Sequence, residues 1–165
     1  MHDAVKDWVA EHITPADRVV EFGSLDINGG IRHLLEPNAT YVGVDVQSGP
    51  GVTIIADAAT WQPDIAPDLV VCLEVFEHAQ NWQQIIANAH SILAPGGQFI
   101  ATAAGTLRAP HSGRRESLPD PDEYYKGIEG YELAAALLAA GFTDAHTEVQ
   151  IADVRCVATK AGSNG

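Results

Sequence analysis

Five short apolar runs recur along the chain: Arg18–Phe22 (RVVEF), Thr40–Val46 (TYVGVDV), Val52–Ala56 (VTIIA), Asp68–Leu73 (DLVVCL) and Gln98–Ala103 (QFIATA). Each reads as a strand, and the near-continuous apolar character of Arg18–Phe22 is the pattern of a strand buried on both faces. Segments of helical period lie among them. Val5, Trp8, Val9 and Ile13 mark a helix over about 2–12, and a second is expected from about Gly29 to Glu36, stopped by Pro37-Asn38. Trp82, Ile85, Ile86, Ala89, Ile92 and Leu93 mark one over 80–93, and Tyr131–Ala140 forms another closed by Gly141. Strand and helix in alternation predict a mostly parallel sheet with helices on both faces. The stretch FTDAHTEVQIADVRCVATK reads as two more strands with little between them, hence a C-terminal antiparallel hairpin. A single α/β domain over 1–160 is expected, followed by a disordered tail, 161–165.

Composition narrows the function. The 165 residues suit one core, and a hydrophobic content of 46% with 19% charged residues is globular. A net charge of −13 repels phosphate backbones and anionic membrane surfaces, so long nucleic acid is a poor partner. The one basic cluster that could override this is Arg108, Arg114 and Arg115. No apolar run approaches the ~20 residues of a membrane span, and the charged start MHDAVKDWVAEH is unlike a signal peptide. Cys72 and Cys156 fall within apolar strand-like runs and read as buried thiols, which makes a reducing cytoplasm the expected compartment.

The strand ends carry the chemistry, because a parallel sheet binds ligands beyond the carboxyl ends of its strands. Gly23 follows the first strand, where a missing Cβ lets a ligand approach the backbone. Asp45 closes the second strand about 20 residues later, where a carboxylate can accept from ribose hydroxyls. Asp57 follows the third. Each also has a plain structural role: a strand-to-helix turn, a solvated strand end and a helix N-cap. Taken in order, E-F-G at 21–23, V-G-V-D at 42–45, A-D-A at 56–58, L-E-V-F-E-H at 73–78 and L-A-P-G-G at 93–97 resemble the class I S-adenosylmethionine-dependent methyltransferases, over roughly 17–160. The resemblance implies a Rossmann-like, mostly parallel sheet of seven strands. It also implies S-adenosylmethionine as cofactor and a cofactor site at Glu21, Phe22, Gly23, Ser24, Asp26, Asn28, Asp45, Val46, Asp57, Ala58 and Glu74. Within it, Glu21 organises the turn and the methionine end, and Asp57 and Ala58 lie near the adenine. The common first motif is acid-x-G-x-G-x-G; here Leu25 and Ile27 replace two glycines, and Ser24, Asp26 and Asn28 suit the turn through side-chain-to-backbone bonds.

Glu74, Glu77 and His78 follow the fourth strand; on a helix they would share one face. The cluster resembles the one by which small-RNA 3′-end 2′-O-methyltransferases and some ubiquinone-pathway O-methyltransferases hold a divalent cation, with His111 as a further ligand. Carboxylate and imidazole donors suit Mg²⁺, Mn²⁺ or Zn²⁺. The plain alternative is helix-start acids beside a surface histidine. The segment 104–127 is too long for an ordinary connection and carries His111, Ser112, Tyr124 and Tyr125. It is expected to close over an acceptor, with His111, Glu77 and His78 as the catalytic group and Ser112, Tyr124 and Tyr125 facing the substrate. His111 is the better general base, since imidazole titrates near neutrality.

No N-P-P-Y motif, Y-x-x-x-K pair or P-loop is present, which argues against a DNA base methylase, a short-chain reductase and an NTPase. With no inserted substrate domain, the acceptor site is expected from the N-terminal helix and the 104–127 loop. So thin a cover points to a small or carrier-borne acceptor on an open site, and to a monomer or homodimer. A non-catalytic cofactor- or partner-binding domain and a nicotinamide-dependent reductase are the other readings.

Overall fold

The computed structural model of the protein describes residues 3–27 and 29–162. Its elements in order are α1 (Asp3–His12), β1 (Arg18–Phe22), β2 (Thr40–Asp45), β3 (Ile54–Ile55), β4 (Leu69–Leu73), α2 (Trp82–Ile92), β5 (Gln98–Ala104), α3 (Gly130–Ala140), β6 (Asp144–Gln150) and β7 (Asp153–Thr159). The strands make one seven-stranded sheet in the order β3-β2-β1-β4-β5-β7-β6. The most apolar runs form its middle: every residue of β4 and β5 is buried. Strands β3 to β5 in that order are parallel, and β7 pairs antiparallel with both β5 and β6. The chain order reverses between β1 and β4, so a crevice opens beyond their carboxyl ends.

Alternation along each strand sorts side chains into two cores. On one face Val20, Phe22, Val70, Cys72, Phe99 and Ala101 pack against Ile85, Ile86 and Ala89 of α2 and Leu133 and Leu137 of α3. On the other, Val19, Leu69, Val71 and Ile100 pack against Val5, Trp8 and Val9 of α1, with Ile31 beside them. Cys72 and Cys156 pair with Ala101 from opposite sides, and both thiols are fully buried. Gly141 closes α3 in the left-handed conformation (φ 100°), and the Phe142 N–H donates to the Leu137 carbonyl.

The helix expected over 29–36 is instead a single 3₁₀ turn, Arg32–Leu34. Pro37 biases Glu36 away from the helical region, leaving too few residues after Gly30 to offset the cost of helix nucleation. The third strand is two residues rather than five, and Ile54 and Ile55 lie at the sheet edge, exposed. Among the described residues no helix is long and apolar enough to cross a membrane. Asn28 and residues 163–165 of the expected tail lie outside the described residues; Ala161 and Gly162 are exposed and irregular.

Candidate active site

The crevice at the switch point is a cleft of about 1140 Å³. At one end it is walled by the turns after β1, β2 and β3, and at the other by the start of the β4–α2 connection and the 105–127 loop. The first turn is built by close approach. Gly23 has φ 75°, and a Cβ there would overlap the Val75 side chain. Its N–H and that of Ser24 both donate to the Val44 carbonyl, at 2.9 and 3.2 Å, which folds the turn onto β2. Gly51, also left-handed at φ 87°, touches the Ser24 backbone so closely that any Cβ would clash. Ser24 is buried and its Oγ has no hydrogen-bond partner among the described residues. A buried hydroxyl left unpaired at a cleft wall is a place where a polar ligand group is stabilising.

Glu21, Asp26, Asp45 and Asp57 all line this end. Asp45 ties the turn to its own strand end: Oδ2 accepts from the Leu25 N–H at 3.2 Å and Oδ1 from the Gln47 N–H at 2.9 Å. Asp57 Oδ1 accepts from the Ala59 N–H at 2.8 Å, and Asp26 Oδ1 from the Gly29 N–H at 2.6 Å. Each carboxylate therefore shapes a turn and keeps lone pairs for a ligand. Glu21 accepts from the Tyr41 hydroxyl, and burial pushes its pKa up to about 7 against that bond. Val46 and Ala58 also line the cleft, Val46 with two thirds of its surface exposed (66%). Phe22, placed by sequence in the cofactor site, does not line it. The strand's alternation turns its ring into the opposite core, edge-on to Trp61.

The second constellation forms only in part. Glu74 is not on a helix with Glu77 and His78. It has φ 58°, left-handed for a residue with a side chain, and only Phe76–His78 makes a 3₁₀ turn. Its carboxylate is thereby turned toward β5 and the loop: Thr102 Oγ1 donates to Oε1 at 3.0 Å, and Arg108 is ion-paired with Oε2 at 2.7 Å. Arg108 also holds Asp153 at 2.7 Å, so it bolts the base of the loop to β4 and β7. Glu74 still lines the cleft but leaves the proposed metal set.

The remaining three do converge. Glu77 Oε1 lies 3.9 Å from His78 Nε2 and 3.8 Å from His111 Nε2, and the potential ligand atoms of all three fall within 4.8 Å of one another. Glu77 is fully buried, and among the described residues neither of its oxygens has a hydrogen-bond partner. Burial, then the charge of Glu74, pushes its pKa up to about 8. Burial, then the neighbouring His111, lowers His78 to about 4. His78 is thus an uncharged and weakly basic imidazole at neutral pH. His78 and His111 face the cleft, and Glu77 stands behind them.

The loop after β5 is laced rather than loose. Glu123 accepts from Ser112 Oγ at 2.9 Å, from the Gly113 N–H at 3.1 Å and from the Asp120 N–H at 3.2 Å. The Lys126 N–H donates to the Glu77 carbonyl at 2.8 Å. Ser112 lines the cleft but is buried, with its hydroxyl engaged by Glu123 and by the Arg114 N–H. Tyr124 lines the cleft; Tyr125 does not, and instead packs its ring 5.4 Å from that of His78 and 5.1 Å from that of His111. Arg114 and Arg115 pair with Asp122 and Asp120, so each member of the basic cluster meets a carboxylate. Helix α1 supplies no wall of the cleft among the described residues, because its apolar face is spent on the sheet. The sequence reading missed Tyr41 and Glu123. Tyr41 shows only once the β1–β2 register is known, and Glu123 only once the loop has folded back on itself.

The model of the methyltransferase domain family matches residues 5–147. The chain belongs to this family of methyltransferase domains, and its seven-stranded sheet has the Rossmann-like methyltransferase fold. Among solved structures, the 1,6-didemethyltoxoflavin-N1-methyltransferase of Burkholderia thailandensis, with bound 1,6-didemethyltoxoflavin and S-adenosylhomocysteine, is similar at 19% identity and TM-score 0.62, covering 96% of this chain and 76% of that one. The N-terminal domain of EvdMO1, determined with S-adenosylhomocysteine and D-fucose, aligns at 16% identity and TM-score 0.65, over 98% of this chain and 84% of that one. Phosphoethanolamine N-methyltransferase 2 of Haemonchus contortus, in complex with S-adenosyl-L-methionine, aligns at 12% identity and TM-score 0.67; this chain spans 53% of it. No curated protein sequence matches this one.

Proposed function

We propose that the cleft binds S-adenosylmethionine at its strand-end wall and passes the methyl group to an oxygen or nitrogen of a small or carrier-borne acceptor held under the 105–127 loop. The observation that carries this reading is that one continuous cleft joins the carboxylates of the β1, β2 and β3 turns to His78 and His111. The cofactor supplies an already activated methyl, so the protein's task is positioning. Glu21 faces a cationic ligand, Asp45 retains acceptor capacity for hydroxyls, and the Ser24 hydroxyl awaits a partner. At the acceptor end His111 takes the proton lost by the nucleophile; Tyr125 packs against its ring and Glu77 Oε1 lies 3.8 Å from its Nε2. His78, with its lowered pKa, is a weak base.

The test is a thermal-shift panel followed by a screen with methyl-labelled cofactor. Stabilisation by S-adenosylhomocysteine and not by NAD(H), with label transfer to an acceptor, is the expected result. Stabilisation by neither indicates a non-catalytic domain, and stabilisation by NAD(H) alone indicates a reductase.

A second reading rests on the Glu77 oxygens, which accept no hydrogen bond among the described residues. A divalent cation held by Glu77, His78 and His111 would sit among one carboxylate and two imidazoles whose ligand atoms lie within 4.8 Å of one another. This donor set favours Mn²⁺ or Zn²⁺ over Mg²⁺. Titration calorimetry with each ion, and activity in excess EDTA, decide it: absence of binding together with unchanged activity overturns it.

A further inference from the structure

We propose that Tyr41 is a positioning residue for the cofactor-side carboxylate of Glu21, with Arg32 as its outer support. The inference rests on the reading of Glu21 as a cofactor-facing group. In the β1–β2 register Val19 pairs with Tyr41 and Glu21 with Gly43. Tyr41 and Glu21 therefore share a face, on a diagonal within reach of a long side chain. Gly43, opposite Glu21, has no side chain to compete for the carboxylate. The Tyr41 hydroxyl donates to Glu21 Oε2, the one side-chain hydrogen bond to Glu21 among the described residues. Arg32 stands in the 3₁₀ turn with its guanidinium carbon 4.2 Å from the centroid of the Tyr41 ring. A chain of contacts thus runs from an exposed cation, through an aromatic ring and its hydroxyl, to a carboxylate at the cleft wall that is only 6% exposed.

The charged and titratable groups around Glu21 come from four elements. Tyr41 reaches it from β2, Asp26 from the turn after β1, Arg32 from the 3₁₀ turn and the Cys72 thiol from β4. Helix α1 presents the apolar Val5 and Val9 to this face. Burial favours the neutral acid and Asp26 adds to that, whereas the Tyr41 hydrogen bond and the Arg32 charge favour the anion. A ligand carrying a sulfonium and an ammonium is bound better by the anion. Tyr41 then acts on the cofactor by favouring the ionised form of Glu21 and fixing its direction.

The experiment is calorimetric titration of the whole protein with S-adenosylmethionine from about pH 6 to about pH 9, for the wild type, Tyr41→Phe, Arg32→Gln and Glu21→Gln, with the melting temperature of each recorded. The wild type is expected to bind more tightly as pH rises through about 7. Tyr41→Phe should bind about 10-fold more weakly near neutrality, move that inflection upward and regain most of the affinity at the alkaline end. Arg32→Gln, at an exposed site, should shift the inflection the same way by less, and Glu21→Gln should abolish it. Tyr41→Phe and Arg32→Gln variants with unmoved inflections, or a loss of affinity equal at every pH, overturn the proposal. If the wild type binds no S-adenosylmethionine, the methyltransfer reading fails first and this inference with it. Normal wild-type binding with unmoved variant profiles sinks the Tyr41 role alone.

Discussion

In the proposed reaction Glu21 and His111 divide the labour of the cleft, and each makes a different prediction. Glu21 has an ordinary pKa of 4.5 and a folded value of about 7. Between those values the folded protein holds a proton there that the unfolded chain does not. The stability this group contributes is therefore full below about pH 4.5 and is lost as pH rises through 7. Urea unfolding of the ligand-free protein should show Glu21→Gln gaining on the wild type across that window and holding a constant lead above it. An advantage that shrinks as pH rises would mean that burial does not dominate at this site. In the proposed reaction His111 acts on the acceptor, so His111→Asn should lower kcat about 10²- to 10⁴-fold and leave S-adenosylhomocysteine affinity within a factor of about two; steady-state rates and calorimetry measure the two quantities. A matching collapse in cofactor affinity would place His111 in the cofactor site instead.

At the scale of elements, the loop from Gly105 to Gly127 is the part whose behaviour the fold leaves most open to test. Three bonds converge on Glu123 to hold its far limb to its near one. Glu123→Ala should release that limb and speed tryptic cleavage at Arg114-Arg115 several-fold, while the melting temperature of the sheet changes little. Unchanged cleavage would show that the Arg108 ion pairs alone fix the loop. Much of this architecture was legible in the residues. The near-continuous apolar runs gave β1, β4 and β5 within a residue, because strands buried on both faces leave no polar ambiguity. The helix expected over 29–36 and the shared helical face of Glu74, Glu77 and His78 were not legible. The first was cut short by Pro37, and the second was undone by the left-handed backbone at Glu74, which an ion pair to Arg108 accompanies. Phe22 sits one residue from a cleft-lining glutamate, and only strand parity tells the two apart.

For the molecule as a whole, charge and core set the limits. A chain of −13 pushes on itself, and a shorter screening length relieves that pressure. The melting temperature should rise as ionic strength goes from about 0.01 M to about 0.15 M, whereas a fall would show that paired ions such as Arg108 with Glu74 outweigh the repulsion. The core under α2 and α3 carries the larger energy. Phe99 is fully buried and stacks on Phe142 at 5.5 Å, so Phe99→Ala should cost about 3–5 kcal/mol in urea unfolding.

The row formed by Cys72, Ala101 and Cys156 gives the protein a clock. Both sulfurs are sealed beneath the helices at the centre of the sheet, and burial pushes their pKa values up, Cys156 to about 12. A thiol reagent added to the native protein must wait for the middle of the sheet to open, so its rate counts openings. Any molecule that binds the closed form slows that count by one plus its concentration over its Kd. The affinity of every candidate cofactor and acceptor can then be read from the pace of cysteine labelling, with no need of a methyl-transfer assay.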